Sequence, residues 1–309
     1  MIRDILQDGF ILKEKGYYKH AIESFYKALE IDNSSNELML EIADCYYLMK
    51  EEERALNYIE QVLNNNPSHV DSLKLLLKIF CDKCAWKEAE QTAKNIYYIT
   101  KSADDLAKIF ELLNKQKHYT EIFEYNSDVC AVQVLYQKAY AKMYMDELQD
   151  AEDIINQVLQ KDNCDFNKLL KCEILFKMNK KDECVELLKE IKIDRKNAEA
   201  LNFAGLVQQY ECNFEKAVEY FREAIKINSF EANYYYNCAS TYFKLGEISE
   251  AKKYYNLAIS IAPENQNYHF ALANLYYSQK QYKRALEELD YDFFEAKLLK
   301  SIILFDSGY

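Results

Sequence analysis

Cys81-Asp-Lys-Cys84 is the segment of this chain whose residue types and spacing come nearest to known chemistry. A Cys-x-x-Cys pair serves thiol–disulfide exchange when it sits beside a βαβ pattern. It supplies half of a zinc site when a second pair stands at suitable spacing. Neither context is present in the sequence. The nine cysteines are odd in number and irregularly spaced, which fits the reducing cytoplasm better than a disulfide framework. His20, His69, His118 and His269 have no helical i,i+4 pairing and no neighbouring Cys or carboxylate cluster, so no metal site is expected. Glu51-Glu52-Glu53 reads as a solvated helix start, favourable near the positive end of a helix. No GxSxG, HExxH or P-loop occurs. The expectation is a chain with no catalytic residue, no cofactor and no metal, and therefore not an enzyme.

The elements that carry these residues must be built almost without chain breakers. There are 5 Gly and 2 Pro in 309 residues, where average usage would put roughly 12 %. Barrels, sandwiches and nucleotide-binding α/β domains need glycine turns or glycine-rich loops. The composition therefore predicts an all-α chain with short, non-glycine turns. With 51 Asp+Glu against 39 Lys+Arg, the net charge of −12 disfavours nucleic acid and anionic membrane as partners. No run of apolar residues is long enough to span a bilayer. The opening MIRDILQDGFILKEKG is amphipathic and acidic, without the order of a signal peptide.

A period of 34 organises the chain. Ala21, Ala55 and Ala89 lie 34 apart, as do Ala217, Ala251 and Ala285, with Ala151 and Cys184 preceding them at steps of 33. With that small residue set at position 20 of a unit, position 8 holds Gly9, Ala43, Ala139, Cys172, Gly205, Ala239 and Ala273, and Leu77 is the large exception. Position 24 holds large residues such as Phe25, Ile59, Ile155, Phe221 and Tyr255. Spacings of three and four among positions 17, 20, 24 and 27 mark one face of a helix. Each unit is thus two antiparallel helices, A then B. Small residues at 8 and 20 let them approach, and large ones at 17 and 24 fill the space beside.

This pattern resembles the tetratricopeptide repeat. Both prolines, in Asn66-Pro67-Ser68 and Ala262-Pro263-Glu264, fall at position 32, and Tyr46, Phe80, Tyr242 and Tyr276 answer the aromatic expected at 11. The resemblance implies a right-handed superhelical α-solenoid of about nine hairpins plus a terminal helix. The register assigns 1–103 to three repeats, 104–131 to an irregular shortened one, 132–293 to five, and 294–309 to a terminal helix. A break between a block of three and a block of five is the alternative reading of the irregular segment. In 294–309, Gly308-Tyr309 repeats the Gly16-Tyr17 turn, so this helix reads as the first of a tenth repeat, and the chain is expected to continue in its gene.

The resemblance also implies an inner wall built from positions 2, 5, 9, 12 and 13 of the A helices. Its candidate groove residues are Tyr136, Tyr140, Glu173, Asn202, Gln209, Asn233, Tyr236, Ser240, Asn267, Phe270, Asn274 and Tyr277. Asn and Gln can hold an extended backbone by paired hydrogen bonds, while Tyr and Phe bury wide area at modest entropic cost. Members of the family that bind chaperones clamp a C-terminal carboxylate with basic residues. Lys74 and Lys78 match half of such a clamp, but Leu6, Phe10, Leu40 and Asp44 stand where the rest would be. The expected function is a non-catalytic scaffold gripping a peptide or helix of a protein partner. The alternatives are a self-associating homo-oligomeric module and the substrate-presenting part of a larger enzyme.

Overall fold

The computed structural model describes residues 2–125, 129–289 and 294–307, so the expected Gly308-Tyr309 turn lies outside the described residues. Among the described residues there are nineteen helices and no strand. The chain is an all-α solenoid, in which helices pack as successive antiparallel pairs. It divides into two compact units, Met1–Asn163 and Cys164–Tyr309. In the first, α1 (Ile2–Glu14) pairs with α2 (Tyr18–Leu29), α3 (Asn36–Leu48) with α4 (Glu52–Asn65), and α5 (Val70–Asp82) with α6 (Trp86–Thr100). Then come α7 (Ala103–Lys115), the single turn α8 (Glu121–Glu124), and the pair α9 (Val132–Tyr144) and α10 (Leu148–Lys161). The second unit pairs α11 (Asp165–Lys177) with α12 (Lys181–Lys189), α13 (Ala198–Tyr210) with α14 (Phe214–Ile227), and α15 (Ala232–Leu245) with α16 (Ile248–Ile261). It ends with α17 (Gln266–Ser278), α18 (Tyr282–Glu287) and α19 (Phe294–Ser307).

One turn closes every A–B connection. The residue at position 15 is left-handed, and the amide that follows it donates back to the carbonyl of position 11, as in Glu51 to Tyr46, Asn213 to Gln208 and Glu247 to Tyr242, each at 2.9 Å. This is the Schellman closure of a helix C-terminus. Glycine serves the slot only at Gly16 and Gly246; Lys50, Cys84, Lys117, Asp146, Asn179, Cys212 and Lys280 adopt it with φ between 54° and 63°. Because glycine is rare, most of these turns carry left-handed strain. The same slot accounts for Cys84: it is exposed in a turn, while Cys81 is half-buried on α5.

Helix approach is set at positions 8 and 24. A Cβ on Gly9 would meet the Phe25 ring at 2.6 Å, and one on Gly205 would meet Phe221 at 2.6 Å. Alanine stands against isoleucine in Ala43 with Ile59 and Ala139 with Ile155, and against a tyrosine in Ala239 with Tyr255, all buried. Leu77 is not a defect in this scheme, because Ala93 holds position 24 of the same hairpin and both lie in one buried cluster. The sizes are exchanged. In the α7–α8 hairpin position 8 is Phe110, and position 20, small in the other hairpins, is Ile122; both are large and buried, and Tyr125 packs edge-on against Phe110 at 5.4 Å. Two large residues leave no room for a second long helix at close range, and α8 stops after four residues.

Two outcomes test these constraints. Gly205→Ala should lower stability by about 1–3 kcal/mol through overpacking, read from denaturant midpoints. Phe221→Ile in the same chain, which recreates the Ala43–Ile59 pairing, should restore most of the loss. For the turn slot, Gly246→Ala should cost about 1 kcal/mol from φ alone, because an added methyl would meet nothing within 4 Å. Lys50→Gly should raise the melting temperature, since it releases the same strain.

Candidate functional site

The A helices leave one face out of hairpin packing, and in the second unit that face is a continuous wall of α11, α13, α15, α17 and α19. Three of these helices begin with a side-chain cap: Asn197 accepts from the Ala200 amide, Glu231 from Asn233 and Asn265 from Asn267. Capping fixes where each A helix starts, and hence where its wall residues stand.

The wall residues bond from one repeat to the next. Asn237 donates to Asn202 at 2.9 Å, and Gln209 donates to Thr241 at 2.7 Å. Asn233 is held at both ends, accepting from the Tyr268 hydroxyl at 2.8 Å and donating to Glu231 at 2.9 Å. Asn274 donates to the Phe270 carbonyl of its own helix, and Ser240 is hydrogen-bonded to Tyr255. The Tyr236 ring lies between Tyr268 and Tyr255, with centroids 5.2 and 5.9 Å away. Tyr277 donates to Asp306 at 2.6 Å. Ten of the twelve expected residues belong to the second unit. Tyr136 and Tyr140 belong to the first unit, where Tyr140 packs on Tyr144 at 4.7 Å and Tyr119 stacks on the same ring at 5.6 Å.

A hollow of about 430 Å³ opens between α15, α17 and α19. Asn233, Tyr236, Asn267 and Phe270 line it, all four expected from the sequence. Asn265, Tyr268 and Glu295 complete it, and these were not expected. Asn265 enters as a helix cap and Tyr268 from a packing position. Glu295 could have been found by extending the register into 294–309, where it falls at position 2.

The electrostatics vary along the wall. Burial pushes the Glu173 carboxyl up to about 7; the Glu199 carboxylate adds to the rise and Lys177 opposes it. Burial likewise raises the Tyr268 hydroxyl, with Glu231 and Tyr236 contributing. Lys78 of the half-clamp is engaged internally: it lies 4.7 Å from the Tyr47 ring centroid, and Tyr47 donates to Asp82 at 2.5 Å. Two histidines serve structure: His69 caps α5, and the ring nitrogens of His269 face Glu288 and the Pro263 carbonyl. Among the described residues no group of three or more His, Cys, Asp or Glu is placed to hold a metal. Burial also raises the Cys81 thiol, away from the reactive thiolate.

A tetratricopeptide-repeat family model matches residues 12–96, and a second model of the same repeat matches 198–230 and 232–265. The chain is a tetratricopeptide-repeat protein. Its fold is similar to a chain in the crystal structure of the APC/C hetero-tetramer Cut9-Hcn1, with a TM-score of 0.64 over 99 % of this chain and 70 % of that one, at 10 % identity. It is also similar to crystal structures of MamA, at 20 % and 21 % identity. These cover 55 % and 53 % of this chain and 97 % of each MamA chain, with TM-scores of 0.43. No curated protein matches it in sequence. Tetratricopeptide-repeat folds are generally non-catalytic, and this repeat protein is a protein-interaction scaffold. Among the described residues no helix is long and apolar enough to cross a membrane.

Glu173 yields a pH test of the wall. A carboxyl whose folded pKa lies above its unfolded value stabilises most while both states hold the proton. Its contribution is full below the ordinary carboxylate range and is lost as pH rises to about 7. Glu173→Gln should remove that loss and leave the protein more stable than wild type at pH 8 by about 1–3 kcal/mol, with little difference at pH 4. Parallel denaturant titrations at the two pH values check it.

Proposed function

We propose that this repeat protein is a non-catalytic scaffold that binds a peptide or helix of a protein partner along the A-helix wall of its second unit. The observation that supports this most directly is the hollow between α15, α17 and α19, where side chains from three successive A helices converge. Aromatic faces supply contact area there, and Asn233, Asn265 and Asn267 supply polar groups at its edge. The bonds between repeats hold the amides in fixed orientation. One bond uses only part of an amide's capacity of two donors and two lone pairs, so a fixed amide still has capacity for an incoming backbone. Pre-set groups lose less entropy on binding than mobile ones. A cytoplasmic setting is in keeping with nine free thiols.

The test must spare the wall's own packing. Asn233 and Tyr236 are poor probes, since one anchors Tyr268 and the other is packed between two rings. Asn267 is exposed at the edge of the hollow. Asn267→Arg should reduce capture of the partner from cell extract by about tenfold or more, equivalent to about 1.4 kcal/mol. Far-UV helicity and melting temperature should be unchanged. Prey retained at wild-type levels would refute the assignment of the wall.

A further inference from the structure

The last helix of the wall differs in chemistry from those before it. Glu295, Leu298, Ile302 and Phe305 follow one another at steps of three, four and three, so they share one face of α19. The opposite face, Ala296, Leu299 and Ile303, is buried in the core cluster of the unit. The first face is not covered: Leu298 is 50 % and Phe305 84 % exposed. Asp306, next to Phe305, takes the Tyr277 hydroxyl just as Asp82 takes that of Tyr47, which sets α19 in the register of an A helix. The exposed stripe therefore continues the wall.

At the head of that stripe Glu295 enters the hollow, beside the rings of Tyr236, Tyr268 and Phe270. No lysine or arginine is among the hollow's lining residues. A second carboxylate, Glu231, is close enough to act on Tyr268. Aromatic faces and a carboxylate at one rim favour a cation, by the attraction of charge to the ring quadrupole and by direct pairing. From Glu295 to Phe305 the stripe runs ten residues, about 15 Å at 1.5 Å per residue. A partner helix laid along it can cover all three apolar side chains at once, with its own at i, i+3 or i+4, and i+7.

Building on the groove reading above, we infer that the hollow receives a lysine or arginine side chain of an amphipathic helical segment, whose apolar face covers Leu298, Ile302 and Phe305. Charge selects this occupant over a second copy of the chain. A copy carries a net charge of −12 and brings like charge toward Glu295, whereas a basic segment brings the complement.

The test is selection on the full chain from a displayed library of helical peptides of about 16 residues, about 24 Å long, randomised on one face. Enriched sequences should carry Arg or Lys at one end of the face, followed by apolar residues at steps of three or four. Glu295→Gln should weaken a selected peptide about tenfold, and Leu298→Ser with Phe305→Ser by at least as much. Glu264→Gln, on an exposed residue outside the hollow, should leave it unchanged. All four positions are exposed, so melting temperatures should stay at wild type. Enrichment without a basic residue, no enrichment at all, or an affinity indifferent to Glu295→Gln would each overturn the inference. Peptides lacking a basic residue but lost with Asn267→Arg would sink it while sparing the groove reading. Natural prey that survives Asn267→Arg would instead remove the reading beneath it.

Discussion

The structure depends on how closely two helices of a hairpin can approach at a single contact. Position 8 of the A helix meets position 24 of the B helix, and one of the two is small wherever both are described. Glycine stands against phenylalanine in α1–α2 and α13–α14, alanine against isoleucine in α3–α4 and α9–α10, and leucine against alanine in α5–α6. An isolated hairpin of this size buries too little to be stable. The fixed separation matters because it gives each hairpin the same outer profile, so that the next can stack on it and extend the core. In α7–α8, Phe110 at position 8 and Ile122 at position 20 are both large and buried, and the second helix is reduced to one turn.

Regular stacking has a second consequence on the inner faces. Residues about 35 apart in sequence become neighbours across adjacent A helices, and they bond at that interval: Tyr47 with Asp82, Asn202 with Asn237, and Asn233 with Tyr268. These bonds are polar and stand beside a wall of half-buried aromatic rings. They fix side-chain directions without filling the groove, so the wall is pre-organised and still presents polar groups. Packing of the hairpins thus determines the order of the binding face, and the two meet at Tyr255, the position-24 ring that Tyr236 and Ser240 contact.

Much of this was legible in the sequence, because the 34-residue period places each residue by arithmetic. The helix faces, the small positions and the turn slot all follow from Ala21, Ala55 and Ala89 once they are aligned. Leu77 was legible only as an exception, since its explanation, Ala93, lies on the other helix and is a statement about paired volumes. The wall was legible as a list of positions, but not as a site. Tyr268 occupies a packing slot and reaches the hollow only because its hydroxyl turns to Asn233. Glu295 was hidden for a different reason. The period shortens before α19, so the Tyr277–Asp306 bond spans 29 residues where Tyr47–Asp82 spans 35, and Glu295 is reached only by restarting the count from Gly308.

The wall of the second unit changes chemistry in a fixed order along the chain. It begins with Glu173, whose carboxyl is raised to about 7 by burial, with the Glu199 carboxylate adding to the rise. Amides follow, tied across α13 and α15. Then come the tyrosine rings around the hollow with Glu295 at its rim, and last the apolar stripe of α19. No single station on this path is selective: amides bind any backbone, rings accept many side chains, and an apolar stripe takes any apolar face. Selectivity arises from the sequence of stations at fixed separation, because a partner gains from all of them only if its own groups recur in the same order. A solenoid supplies that property at little conformational cost, since the hairpin contact that spaces the helices also spaces the stations.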